Sequence, residues 1–277
     1  MRIALCNEVI AELPFERQCA FARAVGYDGL EIAPMTLGEE PHRLTTAQRA
    51  ALRDAAGKEG IAITGLHYLL RAPAGLSITA PDAAVRARTI DVMRKLCDLA
   101  ADLGAKILVH DSPDQRRFAE GRASEGRKWG ADCFSAVADA AQAANVTYCI
   151  EPLSPDQTEF VTSVADAAEI VRAIASPAVK TMVDCSSAAR GGETELVSGL
   201  LRRWLPTGLV AHVHFNDPNR RGPGEGALAF GPILAALHEG GYTGMASVEP
   251  FVYEPDGPAC AARAIGYLRG LVEMSNR

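Results

Sequence analysis

Cysteine supplies this chain with neither a disulfide framework nor a thiolate zinc site. The seven cysteines (Cys6, Cys19, Cys97, Cys133, Cys149, Cys185 and Cys260) are scattered, odd in number and never spaced as CxxC, which speaks against both. No apolar run reaches the ~20 residues that span a bilayer. The opening "MRIALCNEVI" lacks the long apolar core and cleavage site of a secretion signal. The expectation is a cytoplasmic protein without a membrane partner. A basic excess is also missing: the net charge is −6 and the pI about 5.6. The pairs Arg116-Arg117, Arg202-Arg203 and Arg220-Arg221 are far apart and sit among acids, which argues against a nucleic-acid partner. A GxGxxG loop after the first strand is absent too, and this removes the main open-sheet, dinucleotide-binding alternative.

What remains is ordinary in bulk. Of 277 residues, 48% are hydrophobic and 22% charged, the balance of a globular protein able to bury a core without staples. Eight short apolar runs bounded by turn residues read as buried parallel strands. They are "RIALC" from Arg2, "GLEIA" from Gly29, "IAITGLH" from Ile61, "KILVH" from Lys106, "VTYCIE" from Val146, "VKTMVD" from Val179, "LVAHVHF" from Leu209 and "MASVEPF" from Met245. Alanine-rich stretches of helical period alternate with them: Phe15–Val25, Thr46–Lys58, Ala84–Leu103, Ala131–Ala144, Val164–Ile174, Glu193–Trp204, Pro232–His238 and Cys260–Met274. Strict alternation implies a parallel sheet, because each crossover needs a helix. Eight units predict an α/β fold, one (β/α)8 barrel domain over residues 1–277.

Active sites of such barrels lie at the C-terminal strand ends. Those ends are polar here: Asn7 and Glu8, Glu31, His67, His110, Glu151, Asp184, His212 and His214, and Glu249. Carboxylates crowded together resist ionisation and call for a compensating cation. A divalent ion among Glu151, Asp184, His214 and Glu249 meets that need, and oxygen ligands with one imidazole suit Mg²⁺, Mn²⁺ or Co²⁺. Strand alternation points His212 and His214 to the same face, so either can reach a ligand. Arg220 and Arg221 follow in a Gly/Pro-rich loop fit to grip an anionic or hydroxyl-rich substrate. His67 and His110 are read as polar contacts to the substrate's far end or alternatively as satisfied core histidines, and Glu31 as a contact to a substrate hydroxyl or alternatively as a buried salt bridge. Tyr68, Trp129 and Phe251 are candidates for an apolar wall. Cys185 is assigned to core packing.

"EPLSPDQTEF", "VDCSS", "HVHFNDPNRRGPGEG" and "SVEPF", with "GLHYLLRAPAGLSIT" and "VHDSPDQRR" earlier, span nearly the whole chain. Together they resemble the xylose-isomerase-like barrel superfamily, most closely its sugar phosphate isomerase/epimerase branch with the D-tagatose and D-psicose 3-epimerases. The resemblance implies a keto-sugar isomerase or epimerase with one divalent metal (Mn²⁺, Mg²⁺, Co²⁺ or Zn²⁺), working by proton transfer through an enediolate. It places the metal ligands on Glu151, Asp184, His214 and Glu249, the proton-moving pair on Glu151 and Glu249, and the substrate-gripping arginine on Arg220. Two positions depart from it: Gln157 stands where the epimerases carry a substrate-contacting glutamate, and Ser187 where they carry a histidine. A small-molecule sugar partner follows, and a homo-oligomer is compatible with the sequence. The alternatives are a metal-dependent lyase or dehydratase of keto sugars, and an endonuclease IV-like apurinic-site nuclease. The nuclease needs further histidines that "RGPGEGALAF" and Ser187 do not supply.

Overall fold

The structure is a computed structural model that describes residues 1–193 and 195–275. Its strands run Arg2–Cys6 (β1), Gly29–Ile32 (β2), Ala62–Leu66 (β3), Ile107–His110 (β4), Thr147–Ile150 (β5), Val179–Asp184 (β6), Val210–Phe215 (β7) and Met245–Val248 (β8). All eight pair in parallel and in sequence order. β8 returns to β1 with Arg2 opposite Met245 and Leu5 opposite Val248, which closes the barrel. The helices are Phe15–Val25 (α1), Thr46–Lys58 (α2), Ala83–Leu103 (α3), Ala123–Ala143 (α4), Val164–Ile174 (α5), the single turn Cys185–Ser187 (α6), Val197–Trp204 (α7), Phe230–Glu239 (α8) and Gly257–Ser275 (α9). None among the described residues is long and apolar enough to cross a membrane.

Local chemistry sets several boundaries. Thr45 and Gln48 form a reciprocal capping box at the start of α2, and Ser163 with Asp166 does the same for α5. Two helices depart from the periodicity. α4 begins at Ala123, eight residues before the pattern suggests, because Gly126 and Gly130 interrupt the apolar stripe. A Cβ at 130 would lie 2.3 Å from Phe160, so close packing overrides the poor helix propensity of glycine. α7 starts at Val197 rather than Glu193, since a wide turn over Ala188–Gly192 occupies the preceding chain.

A continuous apolar layer lies between strands and helices, and all seven cysteines are free and buried. Val109, Cys149 and Met182 pack inside the barrel. Their neighbours His110 and Tyr148 are one residue out of phase and turn toward the helices, with His110 edge-on to Phe134 of α4. Across the sheet Asp184 lies opposite His214, and His214 opposite Ser247. That register brings the polar ends of β6 to β8 to one level.

Candidate active site

A narrow, largely enclosed pocket opens at these strand ends, where ligand sites of such barrels form. Glu151, Asp184 and Glu249 line it together with Asp111. Ligand atoms of Glu151, Asp184 and His214 all lie within 4.8 Å of one another. His214 joins Glu249 to this group, with its Nδ1 3.0 Å from Glu249 Oε2. Its other nitrogen, Nε2, is 3.0 Å from Glu31 Oε1.

Asp184 is fixed at both oxygens. Oδ1 accepts the Ser187 N–H at 2.6 Å as the cap of α6, and Oδ2 accepts from Asn216 Nδ2 at 2.6 Å. Asn216 in turn accepts the Ser186 N–H at 2.8 Å. Glu151 Oε2 and Glu249 Oε1, by contrast, are buried without a hydrogen bond, although His67 Nε2 lies 4.0 Å from Glu249 Oε1. An unpaired buried carboxylate oxygen is costly. Burial, then the charges of Asp184, Asp111 and Glu249, push Glu151 well above the usual carboxylate range. Burial raises Glu249 to about 7 despite the opposing His214 charge. Burial works against a charged His214 ring, yet Glu249 and Glu31 outweigh it and raise that imidazole. The donor set of three carboxylates and one imidazole fits a divalent cation, which would satisfy the orphaned oxygens. His214 would offer Nδ1 to such an ion while Glu31 holds Nε2, the carboxylate–histidine pairing common behind metal ligands. Two other groupings include Cys6, but burial and then Glu31 hold its thiol well above the usual range. A protonated thiol is a poor ligand.

Arg220, Gln157 and Ser187 stand on the cavity wall, with Tyr68 and Phe251. The Arg220 guanidinium lies 5.1 Å over the Phe251 ring. Its backbone is left-handed at φ 68, held by the N–H groups of Phe251 and Val252, which both donate to its carbonyl. Gln157 Oε1 accepts from Ser154 at 2.7 Å and from Ser187 at 3.2 Å. An Arg190–Asp156 ion pair ties the loop after β5 to the turn after α6.

Four of the candidates do not line the cavity. His110 does not face the cavity: its Nδ1 meets the Tyr148 hydroxyl at 2.7 Å in the helix-facing layer. Glu31 lies beneath the cavity inside the barrel, bonded to His212, His214 and Ser247. Burial works to raise it, but the facing His212 and His214 imidazoles and their hydrogen bonds hold it well below the usual range. His67 is fully buried, with Nε2 2.7 Å from Glu8 and 4.0 Å from Glu249 Oε1. Burial opposes its charge, but Glu8, Glu31 and Glu249 raise it to about 9. Trp129 packs against Arg86 and Arg122, away from the cavity.

Sequence reasoning missed Asp111, Asn216 and Arg116. Arg116 is fully buried, and its guanidinium donates to the carbonyls of Glu151 at 2.8 Å and His110 at 2.6 Å. It fixes the backbone that carries Glu151. As one half of an "RR" pair it gave no sign of burial. Asn216 and Asp111 directly follow strands, and their position was the available signal.

Residues 19–271 match the xylose isomerase-like TIM barrel family. The chain belongs to that family. Among its relatives is a D-psicose 3-epimerase of Agrobacterium fabrum, 27% identical over 241 residues, which cover 82% of this chain and 76% of the relative. In three dimensions this family member resembles a D-psicose 3-epimerase of Clostridium cellulolyticum H10 solved with D-tagatose. The TM-score is 0.85 at 20% identity, covering 98% of this chain and 99% of the other. It also resembles a 3-keto-D-glucoside 4-epimerase of E. coli, with a TM-score of 0.83 at 19% identity over 98% and 99% of the two chains. Identities this low carry the fold alone.

Proposed function

We propose that this family member is a metal-dependent epimerase or isomerase of a keto sugar or sugar derivative. One observation carries the reading: Glu151 and Glu249, each with a buried oxygen lacking a hydrogen bond, face one cavity beside Asp184 and His214. Glu151, Asp184, His214 and Glu249 would hold the ion. When bound, a divalent cation supplies positive charge that polarises a carbonyl and stabilises a developing oxyanion.

The chain's own residues supply the proton transfers. One glutamate takes the proton from the carbon beside the carbonyl, and the C–H electron pair becomes the enediolate of the sugar. The other glutamate returns a proton, and the face or carbon it reaches decides between epimerisation and isomerisation. A carboxylate raised to about 7, as Glu249 is, is matched to proton transfer near neutral pH. Arg220, set on Phe251, binds substrate oxygens from the outer wall. Gln157 and Ser187 bond each other across that wall and bring no charge to it. A site built around neutral partners favours a modified sugar over the free ketoses.

The test incubates protein freed of metal by chelation, with and without added Mn²⁺, with free ketoses, ketose phosphates and 3-keto glycosides. NMR follows the products. Mn²⁺-dependent conversion of one class to an epimer or isomer is expected. Failure of every class with Mn²⁺, Co²⁺ and Mg²⁺ overturns the reading.

A further inference from the structure

We propose that Asp111 is a further catalytic residue, whose Oδ1 holds the substrate hydroxyl next to the reacting carbon. The inference rests on the sugar reading above and deepens it.

Asp111 follows β4 directly and lines the same cavity as Glu151 and Glu249, although only 3% of it is exposed. Its two oxygens are used differently. Oδ2 accepts the Tyr68 N–H at 2.8 Å. Tyr68 lies in left-handed backbone at φ 55, a strained state that persists only where surroundings enforce it. The carboxylate is therefore held in place by the backbone that follows β3. Oδ1 is buried and has no partner. A charged acceptor left without a donor is one of the costlier defects a protein can keep. Asp111 belongs to none of the metal-compatible groups, neither that of Glu151, Asp184 and His214 nor the one that holds Glu249, so a bound ion does not account for the free oxygen. A donor from the ligand does.

A keto sugar carries hydroxyl donors on the carbons beside its carbonyl. One donated to Oδ1 fixes the ring or chain about the carbon that Glu151 and Glu249 address, and orientation of this kind contributes directly to rate. Glu151 and Glu249 then act on the C–H bond while Asp111 holds the neighbouring O–H.

The D111N variant isolates this role. It keeps the size and the oxygen that Tyr68 needs, and replaces the other oxygen with a donor. With the best substrate of the panel, D111N should lower kcat/KM about 10–100-fold, the worth of a hydrogen bond to a charged group. Mn²⁺ affinity by calorimetry and the melting temperature should stay near wild type. Against single-deoxy analogues of that substrate, one analogue should react with wild type and D111N to within about 2-fold, because its loss and the variant's are the same lost contact. Wild-type turnover by D111N overturns the proposal. So does a collapse of Mn²⁺ affinity, which would make Asp111 a ligand, or an equal penalty on every analogue. Should wild type convert no sugar, the sugar-epimerase reading fails separately. Asp111 is then judged by ribitol binding to the Mn²⁺-loaded protein, which D111N should weaken about 10-fold or more and which equal binding would refute.

Discussion

Glu31 shows how a residue can matter to the site without touching the cavity. Its oxygens reach His214 Nε2 at 3.0 Å and His212 Nε2 at 2.8 Å, and both imidazoles come from one face of β7. Replacing Glu31 with Gln removes the acceptor charge that orients His214. Mn²⁺ affinity should fall about 10–100-fold, the usual cost of losing the group behind a metal-ligating histidine. Calorimetry on folded E31Q checks this, and unchanged affinity would leave Glu31 a packing residue. At this scale the sequence was legible where strand phase was clear. The alternation of His212 and His214 put both on the inner face, as their shared bond to Glu31 requires. For His110, the last residue of β4, the core alternative fits the structure, since its ring meets the Tyr148 hydroxyl on the helix side. One step along the chain reverses the face, and Asp111 holds the place on the cavity instead.

The loop after β7 is the element that closes the site. Asp217 accepts the Asn219 N–H at 3.2 Å and the Leu228 N–H at 2.9 Å, and Glu225 pairs with Arg263 of α9. Gly226 makes this turn feasible, since a Cβ there would sit 2.0 Å from Asp217 Oδ1. Gly226→Ala should therefore cost about 1–3 kcal/mol by overpacking. The melting temperature should drop several degrees, roughly 2–4 °C per kcal/mol for a chain of this size. KM should rise as Arg220 shifts, and a variant with wild-type melting and KM would show that the loop relaxes freely. The Gly/Pro-rich character of this loop was plain in the sequence, but its closure onto α9 depends on partners far away in the chain. The strands were legible to within three residues, because buried parallel strands are short apolar runs. The start of α4 was not, because its glycines answer to Phe118 and Phe160 rather than to helix propensity.

For the whole molecule, the buried carboxylates link stability, pH and metal. Burial raises Glu249 to about 7, above its value of about 4.3 in the unfolded chain. The folded state therefore binds the extra proton, and the stabilisation this brings is lost as pH rises through 7. A cation needs the same carboxylate ionised, and His214 free of its Nδ1 proton, so both groups favour metal at higher pH. The rise in melting temperature on adding Mn²⁺ should be larger at pH 8 than at pH 6, and an increment independent of pH would separate the metal from Glu249. The central claim is that Glu151 and Glu249 move a proton at the carbon beside a sugar carbonyl. Deuterium incorporation into substrate and product in D₂O, followed by NMR for the Mn²⁺-loaded wild type and E249Q side by side, tests it most directly. The account predicts metal-dependent deuterium at that single carbon for wild type and a rate lower by about 100-fold or more for E249Q. Turnover without any deuterium uptake, or equal uptake by E249Q, would contradict it.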